Sequence, residues 1–593
     1  MFWFHPAAVL ILGAALLPFV KEKSRRPFML AVPLVALLAV ILLPNGLHGK
    51  ITFLSWELTT GRMDALSRLF GLIMTLMCFL STLFALHVKN NLEHIAAWCY
   101  AAGSLGVVLA GDYVVLFVFW ELMAFASVCL VWARHTPQAL SAGYRYLLLH
   151  GFGGILLLTG IVLYQRAAGG DFSFVPLDVN ALGAGGWFIL AGFLLNAAAP
   201  PLHTWLPDAY GEATPSGSVF LSAFTTKTAV YALARGFAGM PLLLPLGVFM
   251  VVFGVVYAML QNDFRRLLGY HIISQVGYMV AGIGIGTGLA ISGACAHAVV
   301  HILYKGLLFM GTGSVLTMTG KSRFTDLGGL FQKMPVTLAC TAVGGLSISS
   351  CVGFSGFVTK SMIVTSALES HYLLAALLMM IAASGTFLST TLKMIHHVWF
   401  GENRCDAQTW EKTADPPWNM RAAMIITAAL CVILGTFGYP LLYWLLPYPV
   451  HFNPYTSGQI FETVELLFGT AVMFFLLLPR LKPESHFGLD VDWFYRRGGQ
   501  RLMGFLKRLF AGENRLLSVA AWEALTQPAG NFFRRVLLRG SFLTSGFMPA
   551  LSSSGKDQRE WLRDSVFPIG LCVFMAVSAL ALFTVFFLCE VGG

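Results

Sequence analysis

The sequence predicts an all-α, polytopic membrane protein. Hydrophobic residues make up 57% of its 593 residues and charged residues only 11%, mean hydropathy is +0.74, and apolar runs of spanning length recur along most of the chain. A soluble globular chain carries roughly a quarter charged residues to cover its surface. With so few here, most of the exterior must face lipid. The same composition excludes disorder, a coiled coil and a secreted disulfide scaffold.

A spanning helix needs about 20 apolar residues. Candidate spans fall near 4–20, 27–44, 66–88, 94–110, 112–133, 144–164, 185–201 and 216–237. Others lie near 241–260, 269–289, 291–317, 335–369, 372–398, 420–446, 461–479 and 567–589, about sixteen in all. The opening Met-Phe-Trp-Phe-His-Pro has neither a basic n-region nor a small-residue cleavage site, so the first run reads as a retained helix rather than a signal peptide.

The net charge of +10 is explained by loop parity rather than by nucleic acid. Lys21, Lys23, Arg25 and Arg26 follow the first span, Arg134 and Arg145 the fifth, Arg265 and Arg266 the ninth, and Lys321, Arg323 and Lys333 the eleventh. Even loops carry single basic residues such as Arg166 and Arg235. The positive-inside rule then puts the N-terminus outside and the odd loops in the cytoplasm. By the same parity 481–566 is cytoplasmic. From 480 to 566 there are 14 Lys or Arg against 8 Asp or Glu, and stretches such as Arg501–Phe510 mix basic and apolar residues as an amphipathic, interfacial helix does.

Two spans are interrupted. Asn196-Ala-Ala-Ala-Pro200-Pro201 breaks the seventh, because proline removes a helix donor and clashes with the preceding turn. Ser349–Gly356, rich in Gly and Ser, breaks the twelfth. Irregular backbone at membrane depth is tolerated only inside protein or beside water, and broken helices five spans apart point to a transporter built from two repeats.

An ionisable group at mid-bilayer costs at least about 2.5–3.5 kcal/mol on insertion scales, so each is a functional candidate. Glu121, His150, Lys227 and Lys360 all fall within spans, and His297, His301 and Lys305 recur at i, i+4 and i+8 on one face of the eleventh. Histidine donates and accepts within one ring, and a desolvated lysine or glutamate can alternate between protonation states. Bridged by water, such a file suits lateral proton transfer. His297 and His301 have the spacing of zinc ligands but no third ligand nearby. His396 and His397 lie near a helix end beside Lys393 and read as interfacial. The ten cysteines are scattered without a C-x-x-C, and no G-x-G-x-x-G follows a strand, so no metal, iron–sulfur, flavin or nicotinamide site is legible.

Several motifs then resemble one family. They are Pro201-Leu-His203-Thr-Trp205-Leu-Pro207-Asp208, Lys227-Thr-Ala-Val-Tyr231, Gln261-Asn-Asp263-Phe-Arg265-Arg266, Ser274-Gln275-Val-Gly277-Tyr278, His301-x-x-x-Lys305-Gly and Gly356-Phe-Val-Thr-Lys360. Together they are similar to the antiporter-like membrane subunits shared by proton-pumping NADH:quinone oxidoreductase, Mrp-type sodium/proton antiporters and membrane-bound hydrogenases, and most similar to the Mrp D-type and quinone oxidoreductase ones. The resemblance is strong over roughly 60–400. It implies about fourteen core helices with an inverted repeat, two broken helices and a central hydrophilic axis that conducts protons. Glu121 resembles the fifth-helix switch glutamate, Lys227 the central lysine, His301 and Lys305 the connecting residues, and Lys360 the lysine of the exit half. Accessory candidates are His150, Asn196, His203, His297 and Lys393. Asn196 stands where the family usually has the glutamate's lysine partner, and Val352-Gly353 replaces its Pro-Pro at the twelfth-helix break.

The expected organisation is N-terminal helices over 1–110, two halves of the core over 111–260 and 261–400, further helices over 401–480, the basic cytoplasmic segment over 481–566 and a last span within 567–593. The expected function is proton translocation within a multisubunit complex in the cell (inner) membrane, with other membrane subunits as partners and any redox centre on a soluble redox or hydrogenase arm. The alternatives are a redox-independent sodium/proton antiporter subunit and a membrane anchor for a soluble enzyme.

Overall fold

The computed structural model describes residues 4–53 and 56–480, with 490, 491, 493, 497, 498 and 501. Apart from these last few, the basic segment 481–566 and the final span 567–589 lie outside the described residues. The chain divides into two units, Met1–Gly488 and Leu489–Gly593. In the second, the Trp493 amide donates to the Asp490 carbonyl at 3.0 Å. The rest concerns the first.

Helices α1 (Pro6–Leu16) and α2 (Glu22–Leu42) precede an antiparallel hairpin, β1 (Gly46–Phe53) with β2 (Trp56–Met63). Then come α3 (Ala65–Ala85), α4 (Asn91–Leu109), α5 (Tyr113–Trp132), α6 (Pro137–Ala167), α7 (Ala184–Asn196), α8 (Trp205–Glu212), α9 (Pro215–Ala223) and α10 (Thr225–Gly236). The second half holds α11 (Leu243–Met259), α12 (Phe264–Ile285), α13 (Gly288–Thr319), α14 (Pro335–Ile348), α15 (Ser355–Glu369) and α16 (Leu373–Thr386). After α17 (Ala407–Lys412), α18 (Trp418–Gly435) and α19 (Tyr439–Trp444), α20 (Ser457–Leu477) closes the described region. Ten of these helices are long and apolar enough to cross a membrane, and each expected span up to 461–479 has a helix or a broken pair of helices.

Local chemistry sets the helix starts. Asp64, Asp112, Thr136, Thr214, Asp263 and Thr287 each cap a helix by accepting from backbone amides two or three residues on, which satisfies donors the first turn leaves orphaned. Small residues then let helices approach closely. A Cβ at Gly277 of α12 would lie 2.6 Å from the Gly247 carbonyl and 2.7 Å from the Val251 amide of α11. Helix α13 is buried without interruption from Ala290 to Leu316 and forms the centre of the bundle.

Hydrogen bonds between loops divide them into two sets. On one side, Thr59 bonds Gly111 and Asp112, Tyr113 donates to the Phe172 carbonyl, and Leu177 to that of Gly236. These are the loops after the second, fourth, sixth and eighth spans. On the other, Arg25 reaches Lys89, Arg134 reaches Gly211, Ser322 bonds Asp263, Lys321 bonds Asp406 and Thr337 bonds Asp415. These belong to odd-numbered loops, so the path alternates as its hydropathy predicts.

The interruptions at Asn196–Pro201 and Ser349–Gly356 are both present: α7 ends at Asn196 with Ala198 left-handed (φ 57°), and α14 ends at Ile348 with Ser350 (φ 60°) and Gly353 (φ 86°) before α15. Two further irregularities were not expected. The eighth span breaks at Phe224 between α9 and α10, and the thirteenth continues beyond α16 as π-helix over Phe387–Met394 and His396–Phe400. Irregular backbone therefore occurs in the seventh and eighth spans and again five spans later in each case.

Candidate functional site

The break at Phe224 frees carbonyls that an unbroken helix would use, and Lys227, three residues on, takes one. Its Nζ donates to the Ser222 carbonyl at 2.6 Å and the Thr226 hydroxyl at 3.0 Å. Tyr100 holds the break open, with its hydroxyl 2.7 Å from Thr225 Oγ1 while accepting from the Thr225 amide at 2.9 Å. The twelfth span repeats the device. Lys360 Nζ donates at 2.7 Å to the carbonyl of Ile348, the last residue of α14, and lies 4.9 Å from the Tyr278 ring centroid.

Between the two lysines runs the polar face of α13. His297 Nδ1 lies 2.8 Å from Thr359 Oγ1, and its Nε2 lies 3.2 Å from the Tyr304 hydroxyl and 3.3 Å from Gln275 Oε1. One turn along, both ring nitrogens of His301 are buried without a protein hydrogen bond, and so is Lys305 Nζ. The charges of Lys227 and Lys360 both act on His301 and on Lys305. Past Lys360, His271 of α12 feels Lys305, Lys360 and Lys393, and its Nε2 lies 2.7 Å from Ser389 in the π segment. Lys393 donates to the Met259 carbonyl at 2.7 Å and that of Gln261 at 3.1 Å, at the end of α11. All these groups except Lys393 are fully or almost fully buried.

Glu121 stands apart. Its Oε1 rests against Gly154 of α6, in the space a Cβ there would need, and among the described residues it has no hydrogen-bond partner and no lysine or arginine charge acting on it. His150, one turn before Gly154 on α6, bonds the Tyr146 carbonyl through Nδ1 at 3.0 Å and packs edge-on to Trp205 at 4.6 Å. Both amide atoms of Asn196 are buried and unpaired with protein, while His203 packs edge-on against Phe253 at 4.7 Å. Val118 and Phe125, flanking Glu121 along α5, are 60% and 51% exposed. Glu121 therefore borders the chain's outer, apolar face.

The structure thus brings Lys227, His297, His301, Lys305 and Lys360 onto one axis with Lys393 at its end, and among the described residues no hydrogen bond or ion pair joins Glu121, His150 or Asn196 to it. His397 is buried within the protein, 6.0 Å from Phe324 of the loop after α13. Sequence reasoning gave no role to His271, Gln275, Tyr278, Tyr304 or Thr359. The signal was that Gln275, Tyr278 and Thr359 lie inside recognised motifs. It also missed Glu93, buried in α4, whose Oε1 accepts from Thr214 at 2.7 Å and from Ser216 beside the start of α9.

At the surface of the odd loops the charges are paired: Arg145 with Asp208 at 2.6 Å, and Arg134 and Arg266 with Glu212 at 3.3 and 3.5 Å. On the opposite side Arg235 grips Asp64 with two bonds of 2.8 Å. Burial alone would raise the Asp64 carboxyl, but hydrogen bonds and charge from Arg235, the Ser67 amide and Arg62 outweigh it and hold it at about 2.

Broken helices around a buried, charged axis are the pattern of multi-pass membrane transport proteins. The family model described as NADH:quinone oxidoreductase/Mrp antiporter, transmembrane, matches residues 110–389. The D-type Na(+)/H(+) antiporter subunit of Alkalihalophilus pseudofirmus is 30% identical over 58% of this chain and 72% of its own length. Hydrogenase-4 component B of Escherichia coli is 27% identical over 66% of this chain and 64% of its own. A chain of the Mrp complex from a Dietzia species superposes with TM-score 0.74 at 25% identity, over 88% of this chain and 61% of that one. The chain belongs to the NADH:quinone oxidoreductase/Mrp antiporter family.

Proposed function

We propose that this chain is a proton-translocating, antiporter-type subunit of a multisubunit membrane complex. It resides in the cell (inner) membrane with its odd loops cytoplasmic and other membrane subunits as partners. The observation that supports the reading is a set of buried ionisable side chains, Lys227, His297, His301, Lys305, Lys360 and His271, whose charges act on one another, with Lys393 at its end. Each of these side chains can give and take a proton or, like Lys393, borders the file's end, and hydroxyls of Thr359, Tyr304 and Ser389 lie between them. A charged group buried in an apolar bundle costs several kcal/mol, which packing alone does not require of seven residues.

The partner reading draws on Glu121. Val118 and Phe125, on either side of it along α5, are exposed on the outer face of the helix, and a neighbouring membrane protein of the same complex packs there, beside the buried carboxyl. Orientation rests on charge: Lys21, Lys23, Arg25, Arg26, Arg134, Arg145, Arg265 and Arg266 all belong to the odd set. A redox-independent sodium/proton antiporter subunit is the second reading, favoured by the likeness to the D-type Na(+)/H(+) antiporter protein of Alkalihalophilus pseudofirmus.

The test is purification of the native complex and its reconstitution into liposomes. Proton movement that depends on an added electron donor supports the redox-driven form, and sodium-dependent movement without one supports the second. Proton flux unaffected by the loss of Lys227 and of Lys360 removes the axis, and with it the transport function, in favour of an anchoring role.

A further inference from the structure

Beside Lys360 a cleft opens between α15, α16 and α20. Its inner end is formed by Ser349, Ser350 and Lys360 at the twelfth-span break, and its wall continues along α15 through Ser361 and Thr365. Its far wall is one face of α20: Gln459, Glu462, Thr463, Leu466 and Leu467, spaced i, i+3, i+4, i+7, i+8. Two features separate this cleft from an ordinary packing fault. Ser350 is 8% exposed and its hydroxyl has no protein partner, so a buried polar group faces the cleft unsatisfied; a polar site of this kind is one that water can bridge. And Glu462, an exposed carboxylate about one and a half turns into α20, stands on the helix face that lines the cleft, whereas the other carboxylate of that helix, Glu465, does not line it; a charge on a spanning helix is a functional candidate.

We propose that this cleft is the port through which the axis exchanges protons with the bulk at its Lys360 end, and that Glu462 is its mouth carboxylate. The Lys360 ammonium gives its proton to water held by Ser349, Ser350 and Ser361, and Glu462 takes it up before release; reloading runs the same steps backwards. The cleft makes α20, outside the recognised motifs, part of the conducting apparatus. The proposal rests on conduction through Lys360.

The experiment uses the whole complex in liposomes with a trapped pH dye. Glu462→Gln and Glu462→Ala are expected to slow proton flux at least about tenfold, less than the roughly 10²–10⁴-fold of a fully committed proton-transfer group because water bridges in part, and Glu462→Asp to restore most of it. In an otherwise unaltered chain, Thr365→Cys is expected to react with a membrane-impermeant thiosulfonate cation and to lose flux on reaction, which wild type treated alike does not. That arm holds even where a Glu462 variant fails to assemble. Wild-type flux in Glu462→Gln and Glu462→Ala, or labelled Thr365→Cys at full rate, overturns the port while Lys360→Ala still blocks flux. Full flux in Lys360→Ala as well overturns the axis itself.

Discussion

The Lys360 ammonium donates to the carbonyl oxygen of Ile348, twelve residues earlier in the chain, at 2.7 Å across the gap between two half-helices. Lys227 is held by the same device on a smaller scale, bonding Ser222 across the break at Phe224. Among the described residues neither lysine pairs with a carboxylate. Both are anchored by main chain that a helix interruption has set free.

Lys360→Ala and Lys227→Ala are each expected to stop proton flux while leaving the complex assembled, since each removes a proton site but little packing. Lys360→Arg is equally expected to fail, because a guanidinium does not release its proton near neutrality. Flux in reconstituted complex, set against subunit content, checks both.

Lys305→Ala is expected to slow flux rather than abolish it. Its Nζ has no protein hydrogen bond, and His301 lies one turn away on the same face, so water can close the gap. Complete loss of flux in a fully assembled Lys305→Ala complex contradicts this.

Asn196→Lys puts a cation where the family usually has the glutamate's partner. If Glu121 gates transfer, coupling is expected to change, and Glu121→Gln in the same chain to erase the change. The double-mutant comparison isolates the pair from its separate effects. Transport indifferent to both substitutions assigns conduction to the second half of the chain alone.

Asp64→Asn is expected to lower stability by about 1–3 kcal/mol. That is less than the 3–5 of a fully buried pair, because the Asp64 side chain is one-third exposed and solvent screens it. The carboxyl is depressed in the folded state, from an ordinary 3.8 to about 2. Its contribution is therefore whole above about pH 4 and is lost as pH falls through 2. Thermal unfolding of the purified complex at pH 7 and at pH 3 checks the size and the sign: the gap between variant and parent narrows in acid.

Cysteine at position 50 or 170 is expected to react with an impermeant thiol reagent from outside, and at position 23 or in 500–560 only from the cytoplasm. The reverse pattern inverts the orientation.

Much of the fold was legible because bilayer thickness imposes a run length that hydropathy reads directly, and because proline and glycine clusters mark breaks such as Ala198–Pro201. The break at Phe224 carries no such mark: Ala223-Phe-Thr-Thr is compatible with a helix, and tertiary bonds from Tyr100 to Thr225 hold it open. The π segment was equally silent, since one extra residue per turn changes no composition. Of the axis, the lysines and α13 histidines announced themselves by charge at membrane depth. His271, Gln275 and Thr359 did not, because their part depends on which helices meet, and a single chain read in order does not contain that. Glu121 was legible as a residue, and Asn196 already signalled that its usual lysine partner is missing; its place against Gly154 was not legible.

A carbonyl tether has a different character from an ion pair. An ammonium facing a carboxylate is held by its charge, and the hold lapses when the proton leaves. An amine still has two N–H groups to offer the Ile348 or Ser222 oxygen after it has given one proton away. Lys227 and Lys360 therefore keep their positions through a turnover, and the nitrogen that was emptied waits at the same spot to be filled. What travels along such a wire is the proton and the orientation of neighbouring water, while the side chains stay moored.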